Sequence, residues 1–461
     1  MDGIYFIGAG GIGMSALIRY FLAKGFKVAG YDRTPSALTD KLIAEGADIH
    51  YVDDVALIPE GMKRGTEILV VYTPAVPEDH SELQYFRQNG YKVLKRSQLL
   101  GLITENARGI CVAGTHGKTT TSSMIAHLLK QSKIDCNAFL GGILKNYDSN
   151  LMLSDSSDLT VIEADEYDRS FHYLKPFMAV ITSADPDHLD IYGTPEAYRQ
   201  AFEKFISLIK PGGTLIIKKE IAALLRCERT DIQTFNYSMT DETADFHAKN
   251  IRVGNGEIFF DFVIKNPVGI TVPDVQLGVP VRINIENGVA AMAAAYLNGV
   301  TPDEMKQAMK TFRGAERRFD FQIKTDRIVY IDDYAHHPQE LANSIRSVKE
   351  LYPNRKLTGI FQPHLYTRTR DFADEFAKTL SQLDRLILLD IYPAREEPIE
   401  GVTSEMLLEK ATIKDKTLCS KEELIALLEK EDLDVLMTLG AGDIDRFVSP
   451  IRNMLIDKYK L

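Results

Sequence analysis

The chain has 461 residues, 45% of them hydrophobic and 26% charged, so it has room for about two to four domains and fits neither a disordered nor a membrane-embedded protein. Its formal charge of -11 argues against nonspecific nucleic-acid binding through phosphate neutralisation, so an anionic small substrate must meet a locally positive site. The four cysteines, Cys111, Cys136, Cys227 and Cys419, are far apart, with neither a C-x-x-C pair nor metal-ligand spacing; structural thiols in a reducing, cytoplasmic setting are expected.

The apolar start IYFIGAGGIGMSALI is interrupted by glycines and preceded by Asp2 where a signal peptide would be basic, so it reads as strand, loop and helix. No run approaches the roughly 18 apolar residues of a membrane span, and no membrane insertion is expected. Ile4–Gly8, Val28–Tyr31 and Glu67–Tyr72 are predicted strands, with a helix from about Met14 to Lys24, a parallel βαβ pattern. Between the first strand and the helix, Gly8, Gly10, Gly11 and Gly13 fit a G-x-G-x-x-G loop that lets the backbone approach a pyrophosphate at a helix N-terminus. Asp32 ends the next strand, close to the position of a ribose-binding carboxylate. A tight turn that merely needs small residues would look the same.

A second such unit starts at Gly109–Ala113 and runs into Gly114-Thr115-His116-Gly117-Lys118-Thr119-Thr120. This loop is shorter than G-x-x-x-x-G-K-[ST], yet it keeps the required chemistry: backbone amides and a lysine for nucleotide phosphates, and a hydroxyl for magnesium. The strands Leu159–Ile162 and Met178–Thr182 end in Glu163-Ala164-Asp165-Glu166-Tyr167-Asp168 and Asp185-Pro186-Asp187-His188. Magnesium takes few protein oxygens, and Glu163 is the expected carboxylate ligand; by residue type alone, His188 is a hydrogen-bonding partner. Residues from about Gly213 to Gly278 are rich in β-formers, and Asn287–Asn298 is an alanine-rich helix.

From near Phe312, the strands Ile328–Asp333, Leu357–Gln362, Leu386–Asp390 and Val435–Leu439 alternate with amphipathic segments such as Lys421–Lys430. Asp332-Asp333-Tyr334-Ala335-His336-His337-Pro338 leaves one strand, and Phe361-Gln362-Pro363-His364, followed by Arg368 and Arg370, leaves another. The paired histidines lack a third ligand at zinc spacing, so substrate or nucleotide contacts at strand ends are expected instead. A capped helix start carrying surface histidines is the plainer alternative.

In chain order, GAGGIGMS (8–15), GTHGKTT (114–120), EADE (163–166), DPDHLD (185–190), DDYAHHP (332–338), FQPH (361–364) and GAGDI (440–444) resemble the Mur ligase family along nearly the whole chain. The resemblance implies an α/β protein of three domains: a Rossmann-like UDP-binding domain over 1–105, a central P-loop ATPase-like domain over 106–311 and an α/β C-terminal domain over 312–461. It implies ligation of L-alanine to the lactyl carboxylate of UDP-N-acetylmuramate, driven by ATP and Mg2+ through an acyl phosphate, in the cytoplasm and with no nucleic-acid partner. Gly8, Gly10, Gly11, Gly13, Asp32 and Thr73 would hold the UDP substrate. Gly114 to Thr120, Asn284, Asn287, Arg318 and Asp333 would hold ATP, and Lys118, His188 and Arg318 would be catalytic. Thr119, Glu163 and His188 would serve metal, the histidine now by family position rather than residue type, and Tyr334 and His337 would form the amino-acid site. Ile283 stands where the family carries an adenine-contacting histidine.

Three other functions compete, one of them a nucleotide-binding regulator without turnover. A ligase recycling a murein tripeptide onto the same sugar nucleotide would use the same motifs, with GGIGMS favouring the alanine reaction. An NAD-dependent oxidoreductase would explain Gly8 to Gly13 and Asp32 but leave every later motif unused.

Overall fold

The structure, a computed structural model, describes residues 3–63, 67–186, 189–254, 256–394 and 396–461. Its first sheet has five parallel strands, β1 (Gly3–Ile7), β2 (Lys27–Tyr31), β3 (Asp48–His50), β4 (Ile68–Tyr72) and β5 (Lys92–Lys95), in the order β3-β2-β1-β4-β5. The unbroken apolar runs GIYFI and ILVVY put β1 and β4 at its centre, where every residue of both is buried, as a sheet covered on both faces demands. The helix expected from about Met14 begins earlier, at Ile12, and ends at Ala23.

The second sheet has ten strands: β6 (Arg108–Ala113), β7 (Asn137–Leu144), β8 (Ser149–Met152), β9 (Leu159–Glu163), β10 (Met178–Ile181), β11 (Thr214–Lys218), β12 (Gln233–Ser238), β13 (Phe246–Gly254), β14 (Glu257–Ile264) and β15 (Ile270–Gln276). Their order is β15-β14-β13-β12-β11-β10-β6-β9-β7-β8. Because β6 lies parallel between β9 and β10, with Val112 opposite Glu163 and Ala113 opposite Ile181, three strand ends open side by side. That is the switch point at which α/β sheets bind ligands.

Both sheets belong mainly to one compact unit, made of residues up to Lys249 with Asp261–Val275 and Glu286–Phe312. Inside it, the helix Ile12–Ala23 is fastened to the edge of the second sheet. Asn150 Nδ2 donates to Ile12 O at 2.6 Å and to Ser15 Oγ at 3.0 Å, Arg19 donates to Asn150 Oδ1 at 2.9 Å, and the Tyr20 and Phe139 rings meet at 5.4 Å. His127 is buried in the helix Lys118–Lys130, where its ring meets Ala308 O, Thr311 Oγ1 and Tyr147 OH.

The other unit, Asn250–Phe260, Gln276–Ile285 and Arg313–Leu461, carries the third sheet. Its strands β16 (Asp320–Lys324), β17 (Val329–Asp333), β18 (Leu357–Phe361), β19 (Arg385–Leu388), β20 (Lys416–Leu418) and β21 (Val435–Leu439) lie in the order β16-β17-β21-β18-β19-β20. All are parallel except β16, which runs antiparallel to β17. Cys111, Cys136 and Cys419 are buried free thiols as a structural role requires, whereas Cys227 is exposed. Among the described residues no helix is long and apolar enough to cross a membrane.

Candidate active site

The first glycine loop turns at Gly8, whose positive φ of 88° suits glycine, and its start is pinned by Gly8 N and Ala9 N donating to Tyr31 O at 2.8 and 2.9 Å. Asp32 is half-buried beside the loop. Its carboxylate accepts Gly10 N at 2.6 Å and Thr34 N at 3.0 Å, so it shapes the loop from within. Thr73 closes the loop from the side of β4, and a Cβ on Gly8 would lie 2.3 Å from its methyl. Gly13 has a different neighbour, because a Cβ there would fall 2.0 Å from Arg96 Nη1. Arg96 and Lys95 begin the helix after β5 and pair with the acidic loop beyond β9, Arg96 with Asp165 at 3.4 Å and Lys95 with Asp168 at 3.2 Å. A cavity of about 300 Å³, lined by Tyr72, Val76, Lys95, Tyr167 and Asp168 among others, adjoins these pairs. The sequence reading missed both cations, although two adjacent basic residues at a helix start were visible as an anion-binding signal.

The second loop runs from β6 into the helix Lys118–Lys130 through Gly114 and Gly117, with φ of 150° and 81°. A Cβ on Gly114 would meet Thr182 Oγ1 at 2.1 Å, and one on Gly117 would meet Asn287 Oδ1 at 2.7 Å, so both glycines are also required by space. The loop is tied to the end of β10: His116 N donates to Ser183 Oγ at 2.7 Å, Thr182 Oγ1 donates to His116 O at 2.5 Å, and Thr115 Oγ1 donates to Asp185 O at 2.7 Å. Asn287 Oδ1 accepts Thr121 Oγ1 at 3.3 Å, which brings the alanine-rich helix Ile283–Leu297 to the loop. Lys118 Nζ curls back to Gly114 O at 2.6 Å and pairs with Glu166 Oε2 at 2.7 Å.

Thr119, in the first turn of the same helix, donates to Glu163 Oε1 at 3.1 Å, while Glu163 Oε2 accepts Gly141 N at 3.2 Å. Two hard oxygen donors side by side at the second glycine loop fit a magnesium ion, which takes few ligands from protein. His188, the other expected metal residue, lies outside the described residues, as does Asp187. No cluster of three or more histidine, cysteine or carboxylate side chains that could hold a metal ion occurs among the described residues.

In the other unit, β17, β21 and β18 end in register, with Asp333 and Phe361 both opposite Leu439. Arg318 lies 5.3 Å over the Tyr334 ring, while Arg317 pairs with buried Asp332 at 3.2 Å and donates to Gly440 O at 2.6 Å. The Asp333 carboxylate accepts Phe319 N at 3.3 Å and the Ser344 hydroxyl, and burial pushes its pKa up to about 6. His337 precedes the helix Pro338–Leu351 and packs its ring 4.7 Å from Phe372, with its backbone N donating to Glu340 Oε2 at 3.2 Å. Its neighbour His336 faces a second imidazole, His364, at 6.0 Å; His364 stacks on Tyr392 at 5.7 Å and meets Arg368 Nη1 at 3.4 Å. Burial, with Arg368 and His336, pushes His364 down to about 4, so it is a neutral imidazole at physiological pH. Asn284 donates to Val279 O at 3.2 Å, and Ile283 is exposed.

Comparison with known proteins covers nearly the whole chain. Residues 3–108 match the model described as Mur ligase family, catalytic domain, 112–295 match the Mur ligase middle domain, and 317–442 match the Mur ligase, glutamate ligase domain. The UDP-N-acetylmuramate--L-alanine ligase of Parabacteroides distasonis is 66% identical over 452 residues, 98% of this chain and 97% of that one. The protein of the same name from Phocaeicola vulgatus is 59% identical over 459 residues, 99% of each chain. Among solved structures, the UDP-N-acetylmuramate-alanine ligase of Thermotoga maritima superposes with a TM-score of 0.80 at 26% identity, covering 99% of both chains. A murein peptide ligase from Psychrobacter arcticus shares the fold at 22% identity, with a TM-score of 0.69 and 99% coverage of both. Family models matched in chain order over three consecutive segments, with relatives this similar from end to end, establish that the chain belongs to the Mur ligase family.

Proposed function

We propose that this chain joins L-alanine to the lactyl carboxylate of UDP-N-acetylmuramate at the expense of ATP, in cytoplasmic synthesis of peptidoglycan precursor. The observation that carries the reading is the presence of two differently equipped glycine loops in one compact unit, one shaped by Asp32 and the other equipped with Lys118, Thr119 and Glu163. An oxidoreductase needs only the first. The likeness to proteins named for the alanine reaction supports this acceptor over a murein peptide.

In this reading residues 1–105 bind the UDP substrate at Gly8, Gly10, Gly11, Gly13, Asp32 and Thr73, residues 106–311 bind ATP, and residues 312–461 complete the nucleotide and amino-acid sites. The lactyl carboxylate oxygen attacks the γ-phosphorus, the bond to the bridging oxygen breaks, and ADP leaves an acyl phosphate. The L-alanine amine then attacks that carbonyl, loses a proton, and expels phosphate to leave the amide. Magnesium, when bound, neutralises charge on the phosphates; Thr119 and Glu163 hold it, with His188 assigned by family position to a second ion. The protein's own contribution is mainly positioning and charge. Gly114 to Thr120 wrap the phosphates, Lys118 and Arg318 stabilise the transferring group, and Asn284, Asn287 and Asp333 belong to the nucleoside end. Tyr334 and His337, with His336 and His364 beside Arg368, belong to the alanine site.

The deciding experiment is phosphate release with ATP, magnesium and UDP-N-acetylmuramate while L-alanine, other amino acids and the murein tripeptide are supplied separately, with product masses measured. Release that requires L-alanine, with a product one alanyl residue heavier, is expected. Turnover with the tripeptide alone would move the function to recycling, and no turnover with any acceptor would overturn the ligase reading.

A further inference from the structure

The acidic segment after β9 contains a carboxylate that neither the metal site nor the substrate loop uses. Glu166 is 1% exposed, and its oxygens lie 2.7 and 3.0 Å from Lys118 Nζ. The segment is held rigidly: Glu166 O accepts both Arg169 N at 2.9 Å and the hydroxyl of buried Tyr192, and Phe171 N donates to Asp165 O at 2.9 Å. Positive φ values of 51° and 54° at Asp168 and Arg169 make the tight turn that follows Glu166. The ammonium's other contacts are carbonyls of its own loop, Gly114 O at 2.6 Å and Thr115 O at 3.4 Å. With three donors, the Lys118 ammonium is fully engaged by Glu166 and these carbonyls among the described residues.

We propose that Glu166 is a positioning residue that holds Lys118 in a stored position, so that an arriving nucleotide must take the lysine from a buried carboxylate. The inference rests on the reading of Gly114 to Thr120 as the nucleotide loop. Phosphate and Glu166 compete for one ammonium, and a carboxylate buried to this degree loses a stabilising partner when the lysine leaves. Burial already pushes Glu166 above the ordinary carboxylate range against the pull of Lys118. Nucleotide affinity is thereby held down and the spent ADP is released more readily. Removing the charge of Glu166 should tighten nucleotide binding, whereas loss of a merely structural group would weaken it or leave it unchanged.

The test is calorimetric titration of the full chain with ADP in the presence of magnesium, for the wild type, Glu166→Gln, Glu166→Asp and Lys118→Ala, with thermal unfolding of each variant recorded. Glu166→Gln should bind ADP more tightly by on the order of tenfold, and Glu166→Asp, which keeps the charge but withdraws it from the lysine, should tighten binding by less. Lys118→Ala should bind more weakly than wild type. Folded Glu166 variants with unchanged or weakened ADP affinity, while Lys118→Ala still loses affinity, would overturn the storage role and leave the nucleotide loop standing. Equal ADP binding by wild type and Lys118→Ala would instead remove the nucleotide loop and the inference with it.

Discussion

Thr119 and Glu163 are 44 residues apart in the chain, yet their side-chain oxygens stand 3.1 Å from each other at the mouth of the second glycine loop. If they hold magnesium, Glu163→Gln and Thr119→Ala should each raise the magnesium concentration for half-maximal turnover, by at least about 10–100-fold for Glu163. Titrating turnover with magnesium at saturating ATP checks this, and an unchanged midpoint in the Glu163 variant would remove it from the metal site.

Gly141 tests the same carboxylate from outside. A Cβ there would sit 2.2 Å from Glu163 Oε2 and 2.6 Å from Cδ, so Gly141→Ala must push the carboxylate away from Thr119. It should reproduce the weakened magnesium response of Glu163→Gln. Gly61→Ala, where a Cβ meets nothing within 4 Å, should leave that response unaltered and shift stability by less than about 1 kcal/mol. Equal magnesium curves for Gly141→Ala and wild type would show that Glu163 can move without consequence.

Both loops were legible because strand, glycines and helix are contiguous in sequence, and the order of motifs identified the family. The partners of the loops were not. Glu166 reaches Lys118 across 48 residues, a pairing that no local pattern announces. Arg96 meets Gly13 only because β4 lies beside β1 and β5 beside β4, a product of strand order rather than of local pattern. Asp32 was read as a ribose ligand, but its distance from the glycines also suits the contact seen, an anion accepting Gly10 N. Spacing alone does not separate these two uses.

Adjacent arginines in the third sheet's unit should behave in opposite ways. Arg317 neutralises buried Asp332 and holds Gly440 O, so Arg317→Ala leaves a buried carboxylate uncompensated and should cost about 3 kcal/mol of stability. Arg318 lies over Tyr334, and Arg318→Ala should change stability by less than about 1 kcal/mol while lowering kcat at least about 100-fold if it serves the phosphoryl group. Denaturant unfolding and steady-state kinetics on both variants decide the matter. A stable, active Arg318→Ala would return the arginine to a stacking role.

A titrating group sits on the helix Ser81–Gln88, which packs against the first sheet through Tyr5. Glu82 is fully buried, accepts the Tyr5 hydroxyl at 2.7 Å, and lies 3.3 Å from His50 Nε2. Burial raises its carboxyl from 4.5 to about 7, the Tyr5 hydrogen bond opposes that shift, and Asp53 adds to it. Between those pH values the folded chain keeps a proton that the unfolded chain releases. The contribution to stability is therefore fully present below pH 4.5, declines as pH rises, and is gone above about 7. His50, lowered chiefly by burial, acts in the other direction and only as pH falls below 6.5. Glu82→Gln keeps an acceptor for Tyr5 but cannot ionise, so the stability difference between variant and wild type should move in the variant's favour from pH 5 to pH 8, by on the order of 2–3 kcal/mol. Urea unfolding of both proteins at the two pH values measures that difference. Parallel pH dependence would mean that Glu82 is ionised throughout and that Tyr5 and His50 stabilise a buried carboxylate.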